Sequence, residues 1–126
     1  MKAFFSSILV FSAIILSSFQ NPVEIDNIIT AVKKGNAAQL SLNFDQKVMV
    51  IVPGVDKSYS AQQSSLIMQK FLATYKVTDF IVSKIGKTST GYFITGSLQT
   101  KTDTFGTSIT TIKVSGSERI NAISFF

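Results

Sequence analysis

Three hydrophobic patterns follow one another along the chain. From Ala3 to Phe19 there is no period at all: the stretch carries no charge and is dense in Phe, Ile, Leu and Ser. Lys2 precedes it, and the small residues Ser17-Ser18 close it. A basic start, an apolar centre and a small-residue end are the build of a secretory signal peptide. The next charge is Glu24, where a folded domain would begin. Residues 1–20 are read as a leader cleaved between Ser18 and Asn21, and residues 21–126 as one domain. An uncleaved anchor is the rival, because the run falls just short of the ~18 residues that suggest a spanning helix. A buried core helix is the other rival, and the run offers no amphipathic face for it.

The second period is helical. Ile25, Ile28, Ile29 and Val32 fall at i, i+3, i+4 and i+7, one apolar stripe. Pro22 stands before it and Gly35 where a helix end favours a left-handed residue. Asn36 with Gln39 predicts a cap for a short second helix facing inward through Leu40 and Phe44. The β-branched run Val48–Val52 predicts a strand covered on both sides and stopped by Pro53-Gly54. Asp56-Lys57 is then an exposed loop. Ser60 with Gln63 predicts the start of a third helix, with Ile67, Phe71 and Tyr75 on one stripe and Met68 and Leu72 widening it.

From Thr78 the period becomes two. Tyr92, Ile94, Gly96 and Leu98 alternate with Phe93, Thr95 and Ser97. Phe80–Ile85, the stretch around Ile109–Ile112, and Ile120–Phe125 supply three more strands. Gly91, Asp103 with Gly106, and Gly116-Ser117 punctuate them, the last as a two-residue hairpin. The predicted order is helix, helix, strand, helix, then four strands in a meander. The class is α+β: helices packed on a strongly bent, mainly antiparallel sheet.

Composition narrows the chemistry. The 126 residues include 11 Phe and are 45% apolar. A domain of roughly 100 residues hides about two-thirds of its unfolded surface, so packing can carry it. With no cysteine there is neither a disulfide nor a lipoprotein anchor, and stability rests on the core. Without His or Cys there is no Ser-His-Asp triad, no Cys-His pair and no ordinary zinc or haem site. No phosphate-binding or dinucleotide-binding glycine motif occurs. Neither a cofactor nor a metal is expected. Lys+Arg number 12 against 7 Asp+Glu, but Lys33-Lys34 is the one adjacent pair and Arg119 the one arginine. Nucleic-acid surfaces cluster such residues on one face, so no nucleic-acid partner is expected. Thr95, Ser97, Thr107, Ser108, Thr110 and Thr111 invite a sugar-binding reading. With no tryptophan to stack on a sugar ring, a solvated strand face explains them more simply.

The order of elements resembles the nuclear-transport-factor-2-like superfamily, whose bent sheet wraps helices into a cone with one cavity. Within it, the chain resembles an uncharacterised family of exported Bacteroidetes proteins. The resemblance rests on Lys34-Gly35-Asn36, Phe44-Asp45 with Val48, Tyr59-Ser60 with Gln63, Phe71-Leu72, Phe80 with Gly86, and Tyr92-Ile94-Gly96-Leu98, and covers residues 23–126. One departure is Lys84, where that family often has a histidine. The superfamily mixes enzymes, binding modules and assembly parts, so the resemblance implies a fold and an exported address.

Two functional expectations follow. One is an exported, non-catalytic binding or assembly module with a small apolar cavity lined by Phe71, Phe80 and Ile94 and a small apolar ligand. The other is a cone-type enzyme, isomerase- or hydrolase-like. Ketosteroid isomerase, in the same superfamily, pairs a carboxylate base with a tyrosine. Here Asp45 would be the base, and Tyr59 or Tyr92 would donate to a developing oxyanion. The plainer reading makes Asp45 a local backbone acceptor and the two tyrosines packing residues. Apolar residues on both sides of the sheet, with Phe93 opposite Tyr92 and Ile94, point to a homodimer through the sheet.

If the leader is removed, the protein is periplasmic or extracellular, with no stable membrane association. N-terminal sequencing of protein from a native-type host is expected to read from near residue 21. An intact Met1 in the membrane fraction would establish the anchor instead.

Overall fold

The computed structural model describes residues 21–126, so the leader reading of residues 1–20 lies outside the described residues. Helix α1 spans Val23–Lys33 and buries Ile25, Ile28 and Val32 of the expected stripe together with Ala31, while Ile29 is half-buried. Its end is a Schellman motif. Gly35, at φ +63°, donates to the Val32 carbonyl and Asn36 donates to that of Ala31. Asn36 then caps α2 (Ala37–Ser41) by accepting from the Gln39 amide at 3.0 Å. Ser60 does the same for α3 (Ala61–Tyr75), accepting from Gln63 at 3.2 Å. Each such cap is worth about 1 kcal/mol.

The sheet has six strands: β1 (Phe44–Val52), β2 (Val55–Ser60), β3 (Val77–Lys87), β4 (Tyr92–Thr100), β5 (Thr104–Val114) and β6 (Ser117–Phe125). Their spatial order is β2-β1-β6-β5-β4-β3. All neighbours are antiparallel except β1 and β6, which run parallel.

The structure corrects four sequence expectations. Pro53-Gly54 does not end the strand region but turns it. Gly54 takes φ +85°, and residues 55–60 return as β2, so Asp56-Lys57 belongs to an edge strand rather than a loop. Strand β1 is covered on one side: Val48, Val50 and Val52 are buried while Met49 is exposed. Its continuous apolar run reflects an outer face that is also apolar. The β5–β6 turn is Ser115-Gly116, both with positive φ, and Ser117 already pairs with Val114. Two left-handed residues in a two-residue loop match the right-handed twist of the strands. Gly106, read as turn punctuation, lies inside β5, where its backbone exchanges two hydrogen bonds with Phe126.

The helices cover one face only. Val48, Ile94, Leu98, Ile109, Ile120 and Ile123 from the strands meet Ile25, Ile28, Leu40 and Met68 from the helices, each with no exposed surface. Strand β4 can approach β3 because residue 96 is glycine. A methyl group there would press into the Ile81 carbonyl and sit 2.9 Å from the Phe80 ring. Gly96→Ala is expected to cost about 1–3 kcal/mol through overpacking, read as a lower denaturation midpoint with an unchanged m-value.

Candidate functional site

A mainly apolar cleft of about 350 Å³ lies between α3 and the β1–β2 hairpin. Its walls come from Val52, Pro53 and Val55 on the hairpin and from Ile67, Phe71 and Tyr75 on the helix. The tight Pro53-Gly54 turn, closing the Val52–Val55 pair, forms the hairpin side of the cleft. Lys70 and Thr74 complete the lining, and Thr74 Oγ1 donates to the Lys70 carbonyl at 2.7 Å. No carboxylate lines the cleft.

Aromatic rings fill the space beneath it. Phe71 stacks on Phe125 with ring centroids 5.1 Å apart and meets Phe105 edge-on at 5.2 Å. Tyr75 packs edge-on against Phe105 at 4.8 Å and tilts against Phe71 at 5.0 Å. The concave side of the sheet is therefore largely closed by side chains, and the cleft is what remains open at its rim.

The three cavity residues expected from sequence separate accordingly. Phe71 lines the cleft. Phe80, 2% exposed, and Ile94, fully buried, are sealed into the core away from it. Period-two and helical patterns reveal which residues point inward, but not which inward residues border empty space.

The candidate catalytic residues lie on separate strands. Asp45 is half-buried near the start of β1, seven residues before the cleft residue Val52. At about 3.3 Å per residue that is roughly 23 Å along the strand. Tyr59 lies on edge strand β2 opposite Val48, and its half-buried ring packs on the core. Tyr92 opens β4, and its amide donates to Thr111 Oγ1 at 3.0 Å. Four inter-strand steps separate β2 from β4, about 19 Å at the usual strand spacing. Tyr59 and Tyr92 are thus far apart, while Asp45 lies three positions, about 10 Å, along β1 from Val48, the register partner of Tyr59. Among the described residues no group of three or more His, Cys, Asp or Glu side chains is placed to hold a metal ion.

The serine and threonine residues divide by face. Thr107 and Thr111 point inward and are buried. Thr95, Ser97, Ser108 and Thr110 lie on the outer face of β4 and β5, with Thr95 opposite Ser108 and Phe93 opposite Thr110. Strand β6 extends these rows with Ser124 and Ala122. The Phe93 ring lies over Gly86, where a methyl group would collide with it, and Lys84 Nζ stands 5.9 Å from the ring centroid.

Sequence reasoning missed one polar site residue, Glu118, which is 4% exposed. Its signal was available: Glu118 precedes the inward Ile120 by two positions, so strand alternation turns it inward as well.

Comparison with known proteins agrees with this architecture. A DUF4783 protein from Bacteroides ovatus is 29% identical, with a TM-score of 0.75 over 79% of this chain and 90% of that one. A second from Bacteroides fragilis is 27% identical, with a TM-score of 0.76 over 84% and 97%. A nuclear-transport-factor-2-like protein of unknown function from Cytophaga hutchinsonii shares the fold at 13% identity, with a TM-score of 0.58 over 81% and 84%. No curated protein matches the chain. The model of the domain of unknown function DUF4783 matches residues 25–125, and the chain belongs to that family.

Proposed function

We propose that the protein is an exported, non-catalytic binding module that holds a small apolar ligand with one anionic end. The observation that carries this reading is the cleft itself. Its volume of about 350 Å³ lies in the range of small-molecule sites, its walls are apolar, and Lys70 is its charged lining residue. An apolar ligand body would lie against Phe71 and Ile67 and turn its anionic end toward Lys70. A cone-type enzyme would need a carboxylate in the same space, and Asp45 stands far along β1 from it. The exported address rests on Lys2 and the uncharged run Ala3–Phe19.

The outer face of the sheet is the surface we assign to a second copy. Thr95, Ser108 and Ser124 form one row, and Phe93, Thr110 and Ala122 form the next. These rows run in register across three strands, and a two-fold axis can place such a face against itself. Met49 and Ile81, 38% and 54% exposed, are apolar residues on the same face.

Titration with decanoate, followed by amide chemical shifts, tests the cleft. Saturable shifts at Phe71 and Val55 are expected. Lys70→Glu should weaken binding about fivefold, as suits an exposed charge worth about 1 kcal/mol. Ile67→Arg, which sets a charge into the wall, should abolish it. Binding indifferent to both changes removes the cleft as the site. For the outer face, sedimentation equilibrium at micromolar concentration is expected to show a dimer that Phe93→Lys dissociates. A clean monomer of the unaltered protein ends the dimer reading.

A further inference from the structure

A second cavity, of about 320 Å³, lies at the other end of β6 from the apolar cleft. Phe125, near the end of that strand, packs on Phe71. Glu118, at its beginning, lines the second cavity together with Pro22, Lys87, Tyr92 and Lys113. The three residues Thr88–Thr90 of the β3–β4 turn complete the rim.

Glu118 is held on two sides. Its Oε1 accepts from Thr111 Oγ1 at 2.8 Å, and that hydroxyl in turn accepts from the Tyr92 amide at 3.0 Å. The Tyr92 amide occupies one acceptor side of the hydroxyl, and the hydroxyl's single proton is directed to the carboxylate. The Glu118 amide donates to Glu24 Oε1 at 2.9 Å, which ties the strand to the first turn of α1. A methyl group at Gly91 would collide with the Thr111 carbonyl and lie 2.9 Å from Glu118 Oε1, so the wall beside the carboxylate is bare backbone.

The second carboxylate oxygen has no donor among the described residues and, unlike Ser64 Oγ, is not sealed from its surroundings, so it remains open to the cavity. Lys113 stands directly across the hairpin from Glu118, yet the one ion pair among the described residues joins Lys33 and Asp79 elsewhere. A buried carboxylate needs hydrogen bonds and an opposite charge to offset its lost hydration. Here one hydrogen bond is present, and the counter-charge is left to whatever enters the cavity. A cation small enough to enter the cavity can reach that oxygen, and an ammonium fits. Lys87 and Lys113, both exposed at the rim, favour a negative group at the other end of the same ligand.

We propose that this cavity binds a small zwitterion of the α-amino-acid or short-peptide class. The amino group meets Glu118, and the carboxylate meets Lys87 and Lys113. The site shares no lining residue with the apolar cleft, so it stands or falls independently of the ligand assigned there.

The test uses three probes on the purified protein, followed by amide chemical shifts. They are glycylglycine, N-acetylglycine (which keeps the carboxylate but lacks the ammonium) and ethylamine (which carries the ammonium alone). Glycylglycine is expected to give saturable shifts at Gly91, Tyr92 and Glu118, with both other probes binding much more weakly. Glu118→Gln retains an acceptor for Thr111 but loses the charge, and should weaken glycylglycine roughly thirtyfold or more. Lys113→Ala should weaken it by a smaller factor. N-acetylglycine binding as well as glycylglycine would overturn the proposal in favour of a lysine-only anion site. The absence of saturable shifts with any probe would overturn it in favour of an internal Lys113–Glu118 pair formed in solution. The three-probe comparison needs no variant, so it decides the matter even if Glu118→Gln fails to fold.

Discussion

The seat of one ring, Phe71, fixes how the longest helix lies on the sheet. From α3 it stacks on Phe125 of β6 and meets Phe105 of β5 edge-on, while Tyr75 one turn later closes on Phe105. Aromatic pairs of this geometry contribute beyond their buried area. They also set direction, because stacked and edge-on partners admit few alternative positions. With α3 held there, the β1–β2 hairpin meets the helix along Val52 and Val55, and the cleft takes its shape from that contact.

The same sheet separates two kinds of polarity. Along β6 the inward positions run from Phe125, Ile123 and Ile120 to the carboxylate of Glu118, whereas β5 alternates Phe105 and Ile109 with Thr107 and Thr111. The chemical contrast between the apolar cleft and the carboxylate cavity is thus a gradient along β6. It arises because β6 begins beside the chain's entry into α1, where Glu24 accepts from the Glu118 amide. It ends under α3, against the Phe71–Phe125 ring stack.

The helices, their caps and most of the meander were legible in the sequence because each rests on local signals. The Asn36 and Ser60 caps, the Gly35 turn and the Ile25–Val32 stripe need no distant partner to be recognised. Strand β2 was not legible. Only Val55 and Tyr59 are half-buried in its six residues, the rest are exposed, and an edge strand carries little burial pattern to read. The parallel pairing of β1 with β6 was equally hidden, since register between strands some seventy residues apart leaves no mark on either one. For the sites, Asp45, Tyr59 and Tyr92 were chosen by residue type, and topology put them on different strands. Glu118 was passed over because an acid after a Gly-Ser turn looks like solvated surface, although its two-residue spacing from Ile120 turns it inward toward the partners that β5 and α1 supply.

The parallel β1–β6 pairing bears on the order in which the domain can be built. During synthesis, the hairpin of β1 and β2 emerges long before its inner neighbour, and β1 then has an unpaired inner edge bordered by Val48, Val50 and Val52. That edge is satisfied only when β6, the last strand, slots between β1 and β5. Pairings of such sequence separation close late and slowly. A chain whose central strand arrives last stays open for most of its synthesis, the state in which a polypeptide can still be threaded through a narrow pore.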